Sequence, residues 1–136
     1  METTERIFSI ADEADFEALA LETFRFQAER CAPYREYLDL LETDPDEVRS
    51  TAEIPRLPIE VFKHREVYCG EQAPEVVFTS SSTTGQGVSR HPMPSLALYE
   101  RAFTETFRRL YGDPARWSLY GLLPRYPERE GSSPVY

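Results

Sequence analysis

The sequence predicts an α/β fold: helices at the N-terminus, followed by a strand–loop–helix–strand unit. Three observations carry this reading. Phe16, Leu19, Ala20, Phe24, Ala28 and Cys31 recur at three- and four-residue steps, the apolar face of a helix of roughly five turns. Residues 75–79 and 117–123 are short runs of β-branched and aromatic character, bounded by prolines, as strands are. Between them, Leu96, Tyr99, Ala102, Phe103, Phe107 and Leu110 form a second helical stripe, expected to be core. Strand, helix and strand in that order read as a right-handed βαβ unit with parallel strands.

Each element has a local cause. Ser9-Ile10-Ala11-Asp12 has the form of a capping box with aspartate in its third position after the cap, and so starts the first helix. Pro33 interrupts that helix, and residues 34–41 make a second, shorter one. Asp44-Pro45 pairs a capping residue with proline at the first helical position, which predicts a turn or two through Val48. In Ile54-Pro55-Arg56-Leu57-Pro58-Ile59, each proline forces its predecessor into an extended backbone. A short helical turn and then a strand are expected over 60–67. Pro92 and Pro94 close the loop that follows residues 75–79, and Gly112 stands where the cap of the 95–111 helix belongs. The chain thus divides into a helical region (1–50), a proline-rich connector (51–74) and the βαβ unit (75–136). One βαβ unit leaves two sheet edges bare, and the chain stops in a serine-rich stretch, Gly131-Ser132-Ser133, so the expectation is the N-terminal portion of a longer protein.

Composition narrows the function classes. With 136 residues and 40% hydrophobic content, the chain can build a real core. No apolar run approaches the roughly 18 residues of a membrane-spanning helix, and the acidic start lacks a signal peptide's basic and apolar regions, so cytoplasm is the expected location. The net charge of −9 repels nucleic acid and anionic membrane, and neither is expected as a partner. Lys63 is the only lysine, a choice that coding bias explains as well as ligand chemistry does. Cys31 and Cys69, far apart in sequence, are expected to be reduced, with Cys31 a small core residue. Two cysteines and two histidines at no zinc spacing predict no metal site.

The chemistry concentrates in VVFTSSSTTGQGVSRH, residues 76–91. An apolar strand runs into six consecutive hydroxyl residues, two glycines and a cation. Hydroxyls donate to phosphate oxygens, and glycines let backbone N–H groups approach an anion. The carboxyl end of a strand is where open α/β sheets bind ligands. The candidate phosphate contacts are Ser80, Ser81, Ser82, Thr83, Thr84 and Gly85, with Arg90 and His91 adding positive charge at the far end. Neither the Walker A ending nor the GxGxxG spacing is present. The bland alternative is a flexible surface loop in which Ser80 and Thr84 cap a turn and His91 is an exposed turn residue.

The order of these residues resembles a known family. Phe78-Thr79-Ser80-Ser81-Ser82-Thr83-Thr84-Gly85 is similar to the phosphate loop of the adenylate-forming ligases, and more closely to that of the acyl-protein synthetase (LuxE) family. Further matches are the proline-rich segment 54–59 followed by Phe62-Lys63, then Ser89-Arg90-His91, then Leu98-Tyr99-Glu100 through Phe107 with Tyr111-Gly112, then Leu122-Leu123-Pro124-Arg125-Tyr126-Pro127-Glu128-Arg129 with Gly131-Ser132-Ser133. The resemblance runs from about residue 20 to the end and rests on the ordered set. It departs at Ser82, where the family has glycine. Neither cysteine matches the family's acyl-accepting one.

The resemblance implies an incomplete portion of a three-layer, adenylate-forming-ligase-like fold. It implies ATP and Mg2+ as cofactors, a carboxylic acid substrate, fatty acids included, and a thiol acceptor or acyl-carrying protein as partner. The implied reaction forms an acyl-adenylate and passes the acyl group to a thiol. A non-catalytic binding or interaction domain derived from the same fold is the alternative.

Overall fold

Asp12 decides where the first long helix begins. Its backbone is extended, and its carboxylate accepts from the Asp15 N–H at 2.9 Å, while the Asp15 carboxylate accepts from the Ala11 N–H at 3.2 Å. The cap therefore lies three residues beyond the expected Ser9. Ser9 ends a 3-10 turn (Ile7–Ser9) that follows a four-residue helix α1 (Thr3–Arg6), and its hydroxyl donates to the Arg6 carbonyl instead. The computed structural model describes residues 3–80, 87–118 and 120. It is a mixed helix-and-strand structure that divides into two compact units, Met1–Glu71 and Gln72–Tyr136.

In the first unit, α2 (Glu13–Arg30) buries Leu19, Phe24 and Ala28. Cys31 breaks the helix with an extended backbone, donating its N–H to the Gln27 carbonyl and serving as the N-cap of α3 (Ala32–Leu40). Pro33 falls in the first turn of α3, where the missing N–H costs no helical bond. Beyond α3, Glu42 takes φ 54°, and the Thr43 N–H returns to the Leu38 carbonyl at 3.0 Å. The α2–α3 corner closes on Phe24, Ala28, Cys31, Tyr34, Leu38 and Val48. Phe24 meets Tyr34 edge to face, with ring centroids 6.0 Å apart.

The chain after α3 is bound back onto this corner by polar contacts. Asp44 closes a single turn by accepting from the Asp46 N–H. Thr51 donates its N–H and its hydroxyl to the Glu17 carboxylate, at 2.9 and 2.8 Å. Ser50 and Glu53 form a capping box around a 3-10 turn (Thr51–Glu53). The proline segment is extended, as its prolines require, and Ile54 and Leu57 pack on the core. The Tyr34 hydroxyl donates to the Pro55 carbonyl at 2.6 Å. A short helix α4 (Val61–His64) follows. The strand expected after it does not form: Arg65 is extended but has no ladder partner, and its guanidinium instead forks onto both Glu36 oxygens at 2.8 and 2.9 Å.

In the second unit, β1 (Val76–Thr79) pairs antiparallel with β2 (Arg90–Met93), Phe78 opposite His91 and Thr79 opposite Arg90. The segment expected to close the loop is thus itself a strand, Pro92 included, and among the described residues it is the partner of β1. A two-stranded ribbon has only edge strands, which tolerate proline. Of the expected strand, Trp117, Ser118 and Tyr120 are described and carry no strand, while Leu119 and residues 121–123 lie outside the described residues. Trp117 is held otherwise: its indole N–H donates to the Tyr111 carbonyl at 2.9 Å, and its ring stacks edge-on against Phe107 and Tyr111.

Helix α5 (Leu96–Tyr111) has the expected limits, with Ser95 as N-cap and Gly112 at φ 80° closing it. Its stripe is not the buried core that the pattern predicts. Tyr99 packs on Phe78 at 5.0 Å and on Phe103 at 5.5 Å, yet no residue of α5 is fully buried, and Leu110 is 69% exposed.

Candidate functional site

The hairpin fixes both ends of the hydroxyl-rich segment. Past the last ladder pair, the Ser80 N–H donates to the Ser89 carbonyl at 3.1 Å, and the Ser89 N–H donates to the Ser80 hydroxyl oxygen at 3.1 Å. The Ser80 oxygen thus accepts in closing the ribbon, and its O–H remains able to donate. Ser81, Ser82, Thr83, Thr84 and Gly85 lie outside the described residues. Gly87 follows them with φ 86°, a backbone that favours glycine, and among the described residues no atom stands within 4 Å of where its Cβ would be.

Arg90 and His91 belong to β2 rather than to a loop. Successive strand residues point to opposite faces, so Arg90 and His91 are not brought together. His91 shares its face with Phe78 opposite and with Ser89 two residues away. Its Nε2 lies 3.0 Å from the Ser89 hydroxyl, which is buried. Arg90 is exposed beside Thr79 on the other face. Of the two, Arg90 is the cation presented to solvent at the ribbon's end.

Glu75 is a neighbour that sequence reasoning did not single out. Its carboxylate accepts from the Leu96 N–H at 2.7 Å, and the Ser95 hydroxyl accepts from the Leu98 N–H at 3.2 Å. The helix start that would ordinarily attract an anion is thus already supplied with a negative charge and a cap. The first turn of α5 therefore has its Leu96 and Leu98 N–H groups already taken. No periodicity links Glu75 to a helix 21 residues later, so only the fold reveals the contact.

A second feature lies in the first unit. A cleft of about 280 Å3 opens between the α2–α3 corner and the proline segment, with Ile54, Leu57, Phe62 and Val67 among its apolar walls. Both cysteines line it. Cys31 is a core residue, as its place in the helical stripe predicts, with 1% of its surface exposed. Cys69 packs against the same core. Burial, and then the neighbouring Cys31, push the Cys69 thiol up to about 11. Two cysteines far apart in the sequence therefore line one cleft in the fold. No motif signals this, because it depends on how the connector returns to the helices.

Among the described residues, no three histidine, cysteine or carboxylate side chains group to hold a metal ion, and no helix is long and apolar enough to cross a membrane. No protein-family model, no curated protein and no solved structure matches the chain.

Proposed function

We propose that residues 76–91 form the phosphate grip of an ATP-dependent acyl-activating ligase of the acyl-protein synthetase kind. The observation that carries the reading is the run from Phe78 to Gly85, in order with Ser89-Arg90-His91 and the downstream matches. In this class of reaction a carboxylate attacks the α-phosphorus of ATP, pyrophosphate leaves, and the acyl group of the adenylate passes to a thiol. Ser80, Ser81, Thr83 and Thr84 would donate to the β- and γ-phosphates, Gly85 would admit the backbone, and Arg90 would offset charge on the leaving group.

Mg2+ would arrive with the nucleotide and neutralise phosphate charge. The described end of the hairpin offers hydroxyls and a guanidinium, and Glu75 is committed to Leu96, so no protein ligand is assigned to the metal. The acyl substrate is a carboxylic acid, fatty acids included, and the acceptor is a thiol on a small molecule or carrier protein.

Thermal melts with and without magnesium-ATP test the reading. Ligand linkage raises the melting temperature of a protein that binds ATP in its folded state. Gly85→Val should abolish that rise while leaving the far-ultraviolet signal and the ATP-free melt close to wild type. A variant that still binds ATP with unchanged affinity would sink the phosphate-grip assignment. Ser82, standing where the family has glycine, favours a second reading: a non-catalytic binding module that kept the fold. A sharp melt of the wild-type chain that is indifferent to ATP would select that reading.

A further inference from the structure

We propose that Cys31 and Cys69 act as a dithiol that closes reversibly to a disulfide across the cleft of the first unit, with Cys69 the sulfur that reacts first. They are the chain's two cysteines, 38 positions apart, and the fold delivers both to one apolar cleft, Cys69 packing against the core cluster that holds Cys31. Their exposures assign the order. Cys31 is sealed in the core, whereas Cys69 is half-buried at the cleft and can be reached from solvent.

The oxidant is a low-molecular-weight disulfide. The Cys69 thiol loses its proton and attacks one sulfur of the reagent, forming a mixed disulfide and expelling one thiolate, which takes up that proton. The Cys31 thiol then loses its proton and attacks the Cys69 sulfur, expelling the second thiolate, which is protonated in turn. Two protein S–H bonds are exchanged for one S–S bond, and one reagent disulfide is reduced to two thiols. The high proton affinity of Cys69 makes the first attack slow at neutral pH, since the thiolate is the nucleophile. It equally makes the closed disulfide hard to reopen, because a poor leaving thiolate is expelled slowly.

Closure would matter to the fold. Residue 31 is the hinge between α2 and α3, and residue 69 lies beyond α4, so the bond would encircle α3, the proline segment and α4. Segment 65–71 is otherwise secured by apolar packing of Val67 and Cys69 and by the exposed ion pairs of Arg65 and Glu71. A loop of this length should raise the melting temperature by roughly 10 °C.

The test uses the full chain and cystamine as the probe, read by intact mass, free-thiol titration and thermal melting. Wild type should lose both thiols, retain no cysteamine, fall in mass by two hydrogens, stay monomeric and melt higher. Dithiothreitol should reverse each change. Cys31→Ala should stop at one cysteamine adduct on Cys69, and Cys69→Ser should leave Cys31 unmodified in the folded protein. If Cys31→Ala does not fold, Cys31→Ser supplies the same trapped adduct. A wild-type chain that holds a stable adduct, links to a second chain, or keeps both thiols while folded would overturn the proposal.

Discussion

The two long helices contrast in an instructive way. Helix α2 is only weakly amphipathic, with Phe26 and several charges breaking its stripe, yet it buries Leu19, Phe24 and Ala28. Helix α5 has the cleaner stripe, yet buries no residue fully. The difference lies in what each helix meets. α2 faces α3, Val48 and a proline segment tied down through Tyr34 and Thr51. Among the described residues, α5 meets Phe78 of a two-stranded ribbon and a tryptophan folded back on its last turn. An amphipathic pattern states what a helix is able to bury, and the partner decides what is buried.

The largest expected effect tests the buried side of this contrast. Phe24 is 2% exposed and sits at the centre of the α2–α3 corner. Phe24→Ala should cost about 3–5 kcal/mol, the transfer of a ring plus an unfilled cavity. That is a large share of a typical domain's stability. Urea unfolding followed by tyrosine fluorescence would measure it, and a loss under 1 kcal/mol would show that the corner is not the core.

Alkaline pH probes the same corner by charge. Burial, then Tyr37 and Cys31, raise Tyr34 from 10.0 to about 12, and Cys69 moves from 9.0 to about 11. Both groups are neutral when protonated. As pH rises, the unfolded chain loses these protons first, so the folded state holds more protons and stability falls. The contribution is complete below pH 9 and is lost between pH 9 and 12. Tyr34→Phe should flatten the upper part of that decline, and at neutral pH it should cost about 1–3 kcal/mol, because the Pro55 carbonyl loses its donor. Melts across this pH range for both proteins would check the sign, and a stability that rises above pH 10 would refute it.

How far the sequence discloses this structure depends on the range of the forces involved. Elements set by local sterics or capping are legible: the end of the first long helix close before Pro33, the extended backbone before Pro55 and Pro58, β1, and α5 from Ser95 to Gly112. Where two local signals compete, the tertiary context chooses. Ser9 and Asp12 are both good caps, and Asp12 takes the role because residues 7–9 coil into a 3-10 turn. Pairings across the chain are not legible. The short β2 carries a proline that argues against a strand, the Glu75 carboxylate reaches Leu96 across the ribbon, and Cys69 finds Cys31 across the connector. The candidate site shares this limit. Its hydroxyl-rich composition is plain in the sequence, but the opposite facing of Arg90 and His91 follows only from the strand that holds them.

A smaller effect is expected at the start of α5. Ser95→Ala removes the hydroxyl that accepts from the Leu98 N–H and should cost about 1 kcal/mol. Glu75 still accepts from the Leu96 N–H, so the first turn keeps one of its two acceptors. Ser95→Ala combined with Glu75→Ala should therefore cost more than the sum of the single changes. Additive losses in urea unfolding would show that the two caps do not substitute for each other.

The smallest effect belongs to the exposed side of the contrast. Leu110 occupies the α5 stripe where a core residue is expected, yet it is 69% exposed. Truncating a side chain that is largely hydrated in the folded state removes little burial, so Leu110→Ala should change stability by no more than about 0.5 kcal/mol. Alanine's better helix propensity offsets part of even that loss. Repeating the measurement across a range of protein concentrations adds a second reading. A loss above 1 kcal/mol that is independent of concentration would mean that Leu110 is packed within its own chain. A loss that grows with concentration would mean that a second copy covers the stripe, since association stabilises by mass action. Either result would erase the contrast with α2, because both helices would then bury the faces that their patterns mark.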